Sequence, residues 1–79
     1  MTPPTPQVLD DLKKRFAYHP PGPGQPERYQ IIRDHAGGLA RLLCEQCPAS
    51  RELSLALTKI EEAAMWANAA IARNEAHHG

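Results

Sequence analysis

No apolar run in this sequence approaches the roughly 20 residues that a helix needs to cross a bilayer. The opening, Met1-Thr2-Pro3-Pro4, has neither the basic nor the apolar region of a secretory leader, so a cytoplasmic protein is expected. Two cysteines, Cys44 and Cys47, are too few for a secreted disulfide scaffold. Net charge is absent as well: nine basic residues balance nine acidic ones, so the long-range field that gathers a DNA or RNA polymer is missing. A small anionic ligand needs only two or three cations in one pocket, and neutrality does not exclude that. Bulk is lacking too. A chain of 79 residues is one domain at most and buries only about 60% of the surface its unfolded form exposes. Such chains compensate with disulfides, metal, unusually good helix packing or copies of themselves.

What is present is punctuation. Prolines crowd positions 3 to 6 and 20 to 26, one more stands at Pro48, and beyond it the sole glycine is the last residue. This predicts one domain over 1–79: a short helix over about 5–17, a stiff loop over 18–25, and two longer helices over about 26–46 and 48–76. Thr5 suits the first N-cap, with Pro6 at N1 where a missing N–H costs nothing. Val8, Leu9, Leu12 and Phe16 form one apolar stripe. In the second helix Tyr29, Ile32, Ala36, Leu39 and Leu43 make a heptad-like seam; in the third, Leu53, Leu57, Ile60, Ala64, Ala67 and Ile71 do the same. Two such helices joined by Cys47-Pro48-Ala49-Ser50 must lie antiparallel. Gly37-Gly38 inside the second helix is unfavourable by about 1 kcal/mol per glycine relative to alanine. A close approach by a backbone or ligand explains it, and a kink does so equally well.

Each seam uses one stripe, yet Ile31, Leu42, Leu55, Met65 and Trp66 fall outside both. Surplus apolar surface on a two-helix hairpin calls for a partner, most economically another copy. The expected fold is therefore all-α, an antiparallel helical hairpin with a short N-terminal helix, assembled as a homo-oligomer.

Little here suggests catalysis or metal. Cys44-x-x-Cys47 has ligand spacing, but zinc needs four ligands, and His35, His77 and His78 are scattered. Cys44 is expected to pack as a small apolar residue. Ser50 and Ser54 lie at a helix start, where capping explains them, and the neighbours Glu61 and Glu62 point to different helix faces. No catalytic residue, metal or cofactor is assigned. The segment Phe16-Ala17-Tyr18-His19-Pro20-Pro21 is different in kind. Its rings on a proline-stiffened loop make a stacking platform for a flat base, unless Phe16 and Tyr18 merely cover the hairpin core. Arg28, Arg33 and Arg41 follow on the next helix, and Arg33 stands one turn beyond Tyr29. Near the end of the chain, Asn68 in a seam suits register selection. Arg73 either holds phosphate in an assembly or simply complements a helix dipole.

Five segments resemble a known family: Tyr18-His19-Pro20-Pro21, Gly24-Gln25, Tyr29-x-x-Ile32-Arg33, Cys47-Pro48-x-Ser50-Arg51-Glu52 and the ten residues from Met65 to Asn74. They are similar to the phage anti-CBASS type 2 sponges, whose hairpin domain is shared with a Thoeris anti-defence protein. The resemblance spans roughly residues 12 to 75. It implies a helical homohexamer that sequesters cyclic dinucleotides such as 3′,3′-cyclic GMP-AMP (cGAMP), and cyclic trinucleotides, in the bacterial host cytoplasm. The signal is held intact, so the immune effector is never switched on. By the same resemblance the cyclic-dinucleotide pocket uses Tyr18, framed by His19 and Pro20, together with Arg33. A separate cyclic-trinucleotide site, where several protomers meet, uses Arg73. The Thoeris relative carries a further domain for which this chain has no room, so cyclic ADP-ribose-type ligands are not expected. The main rival is a small helical adaptor that docks a protein partner without a nucleotide; an enzyme that degrades the signal ranks third.

Overall fold

Proline, glycine and hydroxyl side chains mark where each helix begins. A computed structural model describes residues 2–75 and contains α1 (Pro6–Phe16), α2 (Gln25–Gln46) and α3 (Arg51–Asn74), with no strand among the described residues. Thr5 is extended, and its hydroxyl accepts the Val8 N–H at 3.2 Å, which caps α1 with Pro6 in the first turn. Lys13, Lys14 and Arg15 occupy the last turn of α1, where cations complement the helix dipole. Helix α2 opens one residue ahead of the proline expected to start it. Gly24 adopts φ 78°, a left-handed conformation that suits glycine, and this lets the Gln25 N–H turn back to the Gly22 carbonyl at 3.1 Å. Pro26 then falls inside the first turn, where its missing N–H is still harmless. Helix α3 opens at Arg51 because the Ser50 hydroxyl accepts the Leu53 N–H at 3.1 Å. It ends at Asn74; residue 76, to which the third helix was expected to reach, lies outside the described residues, as do His77 and His78.

The short turn between Gln46 and Arg51 folds α3 back along α2. The start of α2 meets the end of α3, where the Gln25 amide donates to Glu75 at 3.0 Å. All six apolar seam residues of α3 are half-buried, against Tyr29, Ile32, Ala36, Ala40 and Leu43 of α2. Leu39 is the exception. It is 47% exposed, because Ala40 takes the inward position at that turn, and Leu39 instead edges a shallow groove of about 320 Å³ with Ile32, Ile60 and Ala64. Cys44 is exposed rather than packed, since it faces away from the seam that Ala40 and Leu43 define.

The result has length and breadth but almost no depth. Its extents are 48 × 40 × 13 Å, and the last figure is little more than the diameter of one helix with its side chains, about 10–12 Å. No apolar side chain among the described residues is fully buried. The Cα radius of gyration is 17.0 Å, against about 12 Å for a compact chain of this length. The exposed area of 6510 Å² exceeds by roughly 1,800 Å² what a compact protein of 8.7 kDa shows. Ile31, Leu42, Leu55, Met65 and Trp66, the five residues outside the seams, are 47–65% exposed.

Within one protomer the close approach expected at Gly37 and Gly38 is missing: a Cβ built on either meets nothing within 4 Å. Replacing both by alanine is therefore expected to raise the unfolding free energy by about 1–2 kcal/mol. The readout is a later urea midpoint at unchanged m-value. An earlier midpoint would mean that another chain's backbone occupies the space.

Candidate functional site at the open end of the hairpin

The open end of the hairpin gathers most of the polar side chains that bridge distant parts of the chain. Gln25 is its hub and, at 2% exposed, the one buried residue among those described. Its carbonyl oxygen accepts the Gly22 N–H at 3.0 Å and the Tyr29 hydroxyl at 3.1 Å, while its amide donates to Glu75. Arg28, one turn along α2, donates to both carboxylate oxygens of Glu75 at 2.8 and 2.7 Å. Both bonds come from one guanidinium nitrogen, Nη1, and the pair is about half exposed, so its net worth is modest. Glu75 also caps α3, its N–H donating to the Ile71 carbonyl. One amide thus ties the glycine loop, the first turn of α2 and the end of α3 together.

The aromatic loop leaves α1 beside this cluster. His19, half-buried, places Nε2 2.7 Å from the Lys14 carbonyl and so folds the loop back onto the end of α1. Lys14 in turn reaches across to the Asn74 side chain at the end of α3. Tyr18 stands between these tethers and Gly22, and its ring is 83% exposed. Phe16 is equally exposed, so neither ring covers the hairpin core, the plainer role open to them from the sequence. Pro20 is exposed as well. The loop is pinned at both ends while its tyrosine faces outward.

Arg33 lies on α2, exposed, with one guanidinium nitrogen donating to Gln30 at 2.9 Å and no salt bridge among the described residues. No hydrogen bond joins it to Tyr18 within one protomer. Arg41 is exposed farther along α2, away from this end. The Arg28 that sequence grouped with them is committed to Glu75. Asn68 is half-buried on α3, and its amide oxygen is withdrawn from solvent without a hydrogen-bond donor among the described residues.

Arg73, half-buried in the last turn of α3, lies over the Trp66 ring at 5.9 Å from its centroid. That places it in cation–π range. The same cleft, of about 490 Å³, is closed on its other side by Lys14, Arg15 and Phe16 of α1. Sequence analysis singled out Arg73 but attached no role to Lys14 or Arg15. They lie about 60 positions upstream, and no periodicity in the sequence signals that the ends of two helices meet. At the opposite end, Cys47 lines an apolar cleft with Leu43, Pro48 and Leu53, and both thiols are free. Among the described residues no three His, Cys, Asp or Glu side chains group to hold a metal ion, and no helix is long and apolar enough to cross a membrane.

Neither a curated protein nor a solved structure matches this chain. A family does: residues 9–72, which take in most of α1, the aromatic loop and nearly all of the hairpin, match the family described as Acb2/Tad1, hairpin domain. With four-fifths of its length covered, and a helical hairpin as its observed fold, the chain belongs to the Acb2/Tad1 hairpin-domain family.

Proposed function

We propose that this protein is a non-catalytic sponge that binds cyclic dinucleotides, 3′,3′-cGAMP among them, and blocks CBASS anti-phage defence in the bacterial cytoplasm. Membership of the Acb2/Tad1 family supports an anti-defence sponge role in general. The observation that carries the finer reading is the outward Tyr18 on a loop pinned by His19 and by Gln25. An aromatic ring held ready in this way stacks on a base with little entropy left to lose. His19 and Pro20 frame the base, and Arg33, uncompensated by a carboxylate, pairs with phosphate. Arg73 serves a separate cyclic-trinucleotide site.

No hydrogen bond joins Tyr18 to Arg33 within one protomer, and in this reading a second copy completes their pocket. The surface argues for copies. The surplus of roughly 1,800 Å² is area enough for about two standard faces of some 800 Å² each, which supports a reading with more than one neighbour per protomer. Faces of that kind close into a ring or a higher assembly, and a homohexamer fits the reading. The unsatisfied Asn68 oxygen is consistent with a donor supplied by a neighbouring chain. The apolar grooves also suit an adaptor that docks another protein, and ligand binding separates the two readings.

Light scattering on a size-exclusion column should give a mass well above 8.7 kDa at micromolar concentration; a folded monomer would remove the shared pockets. Calorimetric titration with 3′,3′-cGAMP should show binding, weakened about 10- to 100-fold by Tyr18→Ala or by Arg33→Ala, the range expected for one stacked base or one charge-assisted contact. No binding by the intact assembly, or full-strength binding by the double variant, would defeat the proposal. The ligand released by heating the complex should be chemically unchanged, whereas a degrading enzyme would return linear products.

A further inference from the structure

Helix α1 carries an apolar stripe that its own chain leaves open. Val8 and Leu9 are 47% exposed and Leu12 is 38% exposed. The helix approaches the hairpin at its C-terminal end, where Lys14 reaches Asn74, and does not pack along either long helix. At 11 residues it is shorter than the roughly 12–15 that a lone helix needs in water. The Thr5 cap and the exposed Asp11–Arg15 pair support it locally. Most helical stability, however, comes from packing an amphipathic face against something else. For α1 that partner surface is missing within the protomer.

The hairpin has a surface of the matching kind. The shallow groove of about 320 Å³ between α2 and α3 is lined by Ile32, Leu39 and Ile60 with Ala36, Ala63 and Ala67, and His35 is the one polar side chain on it. Alanines let a further helix come close. Residues 17–24 span about 26 Å when extended, and the level of Ala36 lies about 16 Å along α2 from Gln25, so length alone does not keep α1 from its own groove. The folded loop does: His19 on the Lys14 carbonyl and Gln25 on Gly22 turn α1 away.

We propose that α1 is an exchanged arm: the Val8, Leu9 and Leu12 stripe of one copy packs into the α2–α3 groove of another. A second copy is the occupant because every chain carries one arm and one groove, each lacking what the other supplies. The surplus of roughly 1,800 Å² is also area for two faces, one given by the arm and one by the groove. The inference stands apart from the ligand reading of Tyr18 and Arg33.

The test uses the full-length chain and light scattering at micromolar concentration. Leu9→Glu with Leu12→Glu removes the arm, and Ala63→Arg, at an exposed position, blocks the groove. Each variant, with its hairpin helicity checked by circular dichroism, is expected to show at most half the wild-type mass. An equimolar mixture should be heavier than either alone, since the intact groove of one accepts the intact arm of the other. As a milder probe, Leu12→Cys and Ala63→Cys are combined in a chain with Cys44→Ser and Cys47→Ser. On oxidation this chain should give covalent dimers and larger species on a non-reducing gel. A cross-linked product of monomer size would place the arm on its own groove and overturn the proposal. An unchanged mass in the Leu9 and Leu12 variant would overturn it too, while leaving pockets shared among protomers intact. A monomeric wild type would leave arm and groove to a different protein, and the proposal would fall with it.

Discussion

A protein 13 Å thick has no interior. Two helices side by side touch along one stripe each, and the residues on every other face remain in contact with water. Hydrophobic stabilisation scales with the apolar area removed from water, so a hairpin of this shape gains only part of what its composition offers. The surplus is not scattered. It is carried by large side chains of both long helices, Ile31, Leu39 and Leu42 on α2 and Leu55, Met65 and Trp66 on α3. In the proposed function, assembly and ligand capture draw on this same exposed surface, and no cavity has to be hollowed from a core the hairpin does not possess.

Polar contacts supply what apolar packing does not at the open end. There the chain must hold the end of α1, a glycine-proline loop, the start of α2 and the end of α3 in one arrangement. It does so through Gln25, whose amide and carbonyl reach three partners, and through the reach of Arg28, Lys14 and His19 across elements. A glutamine suits this role because it is uncharged and both donates and accepts, so it can be buried without the desolvation penalty of an ion. The Tyr18 ring gains its outward pose from these tethers, without packing of its own. The free energy that orders the loop is thus spent during folding, which is what the proposed stacking role of Tyr18 requires.

Much of this was legible in residue order. The punctuation by Thr5, Pro6, Gly24 and Ser50, the spacing of the α3 seam and the brevity of the turn at Pro48 are local signals, each acting within about one helical turn. They are enough to specify three helices and an antiparallel pair, and the motifs from Tyr18 to Asn74 are enough to indicate the family. The inward turn at Ala40 instead of Leu39 was not legible, because positions three and four beyond Ala36 flank the seam on opposite sides, and the partner helix decides which one turns inward.

What residue order determined alone is the set of helices, their pairing and the surplus of apolar surface, since backbone hydrogen bonding and side-chain period are properties of near neighbours. Only the tertiary structure decided which arginines are already spent: Arg28 on Glu75, Arg15 on Asp11, but neither Arg33 nor Arg73 on any carboxylate among the described residues. It alone brought Lys14 to Asn74 and Arg73 to the cleft beside Phe16. Contacts across some 60 residues depend on how the loop directs α1 over the hairpin, and no nearest-neighbour rule encodes that direction.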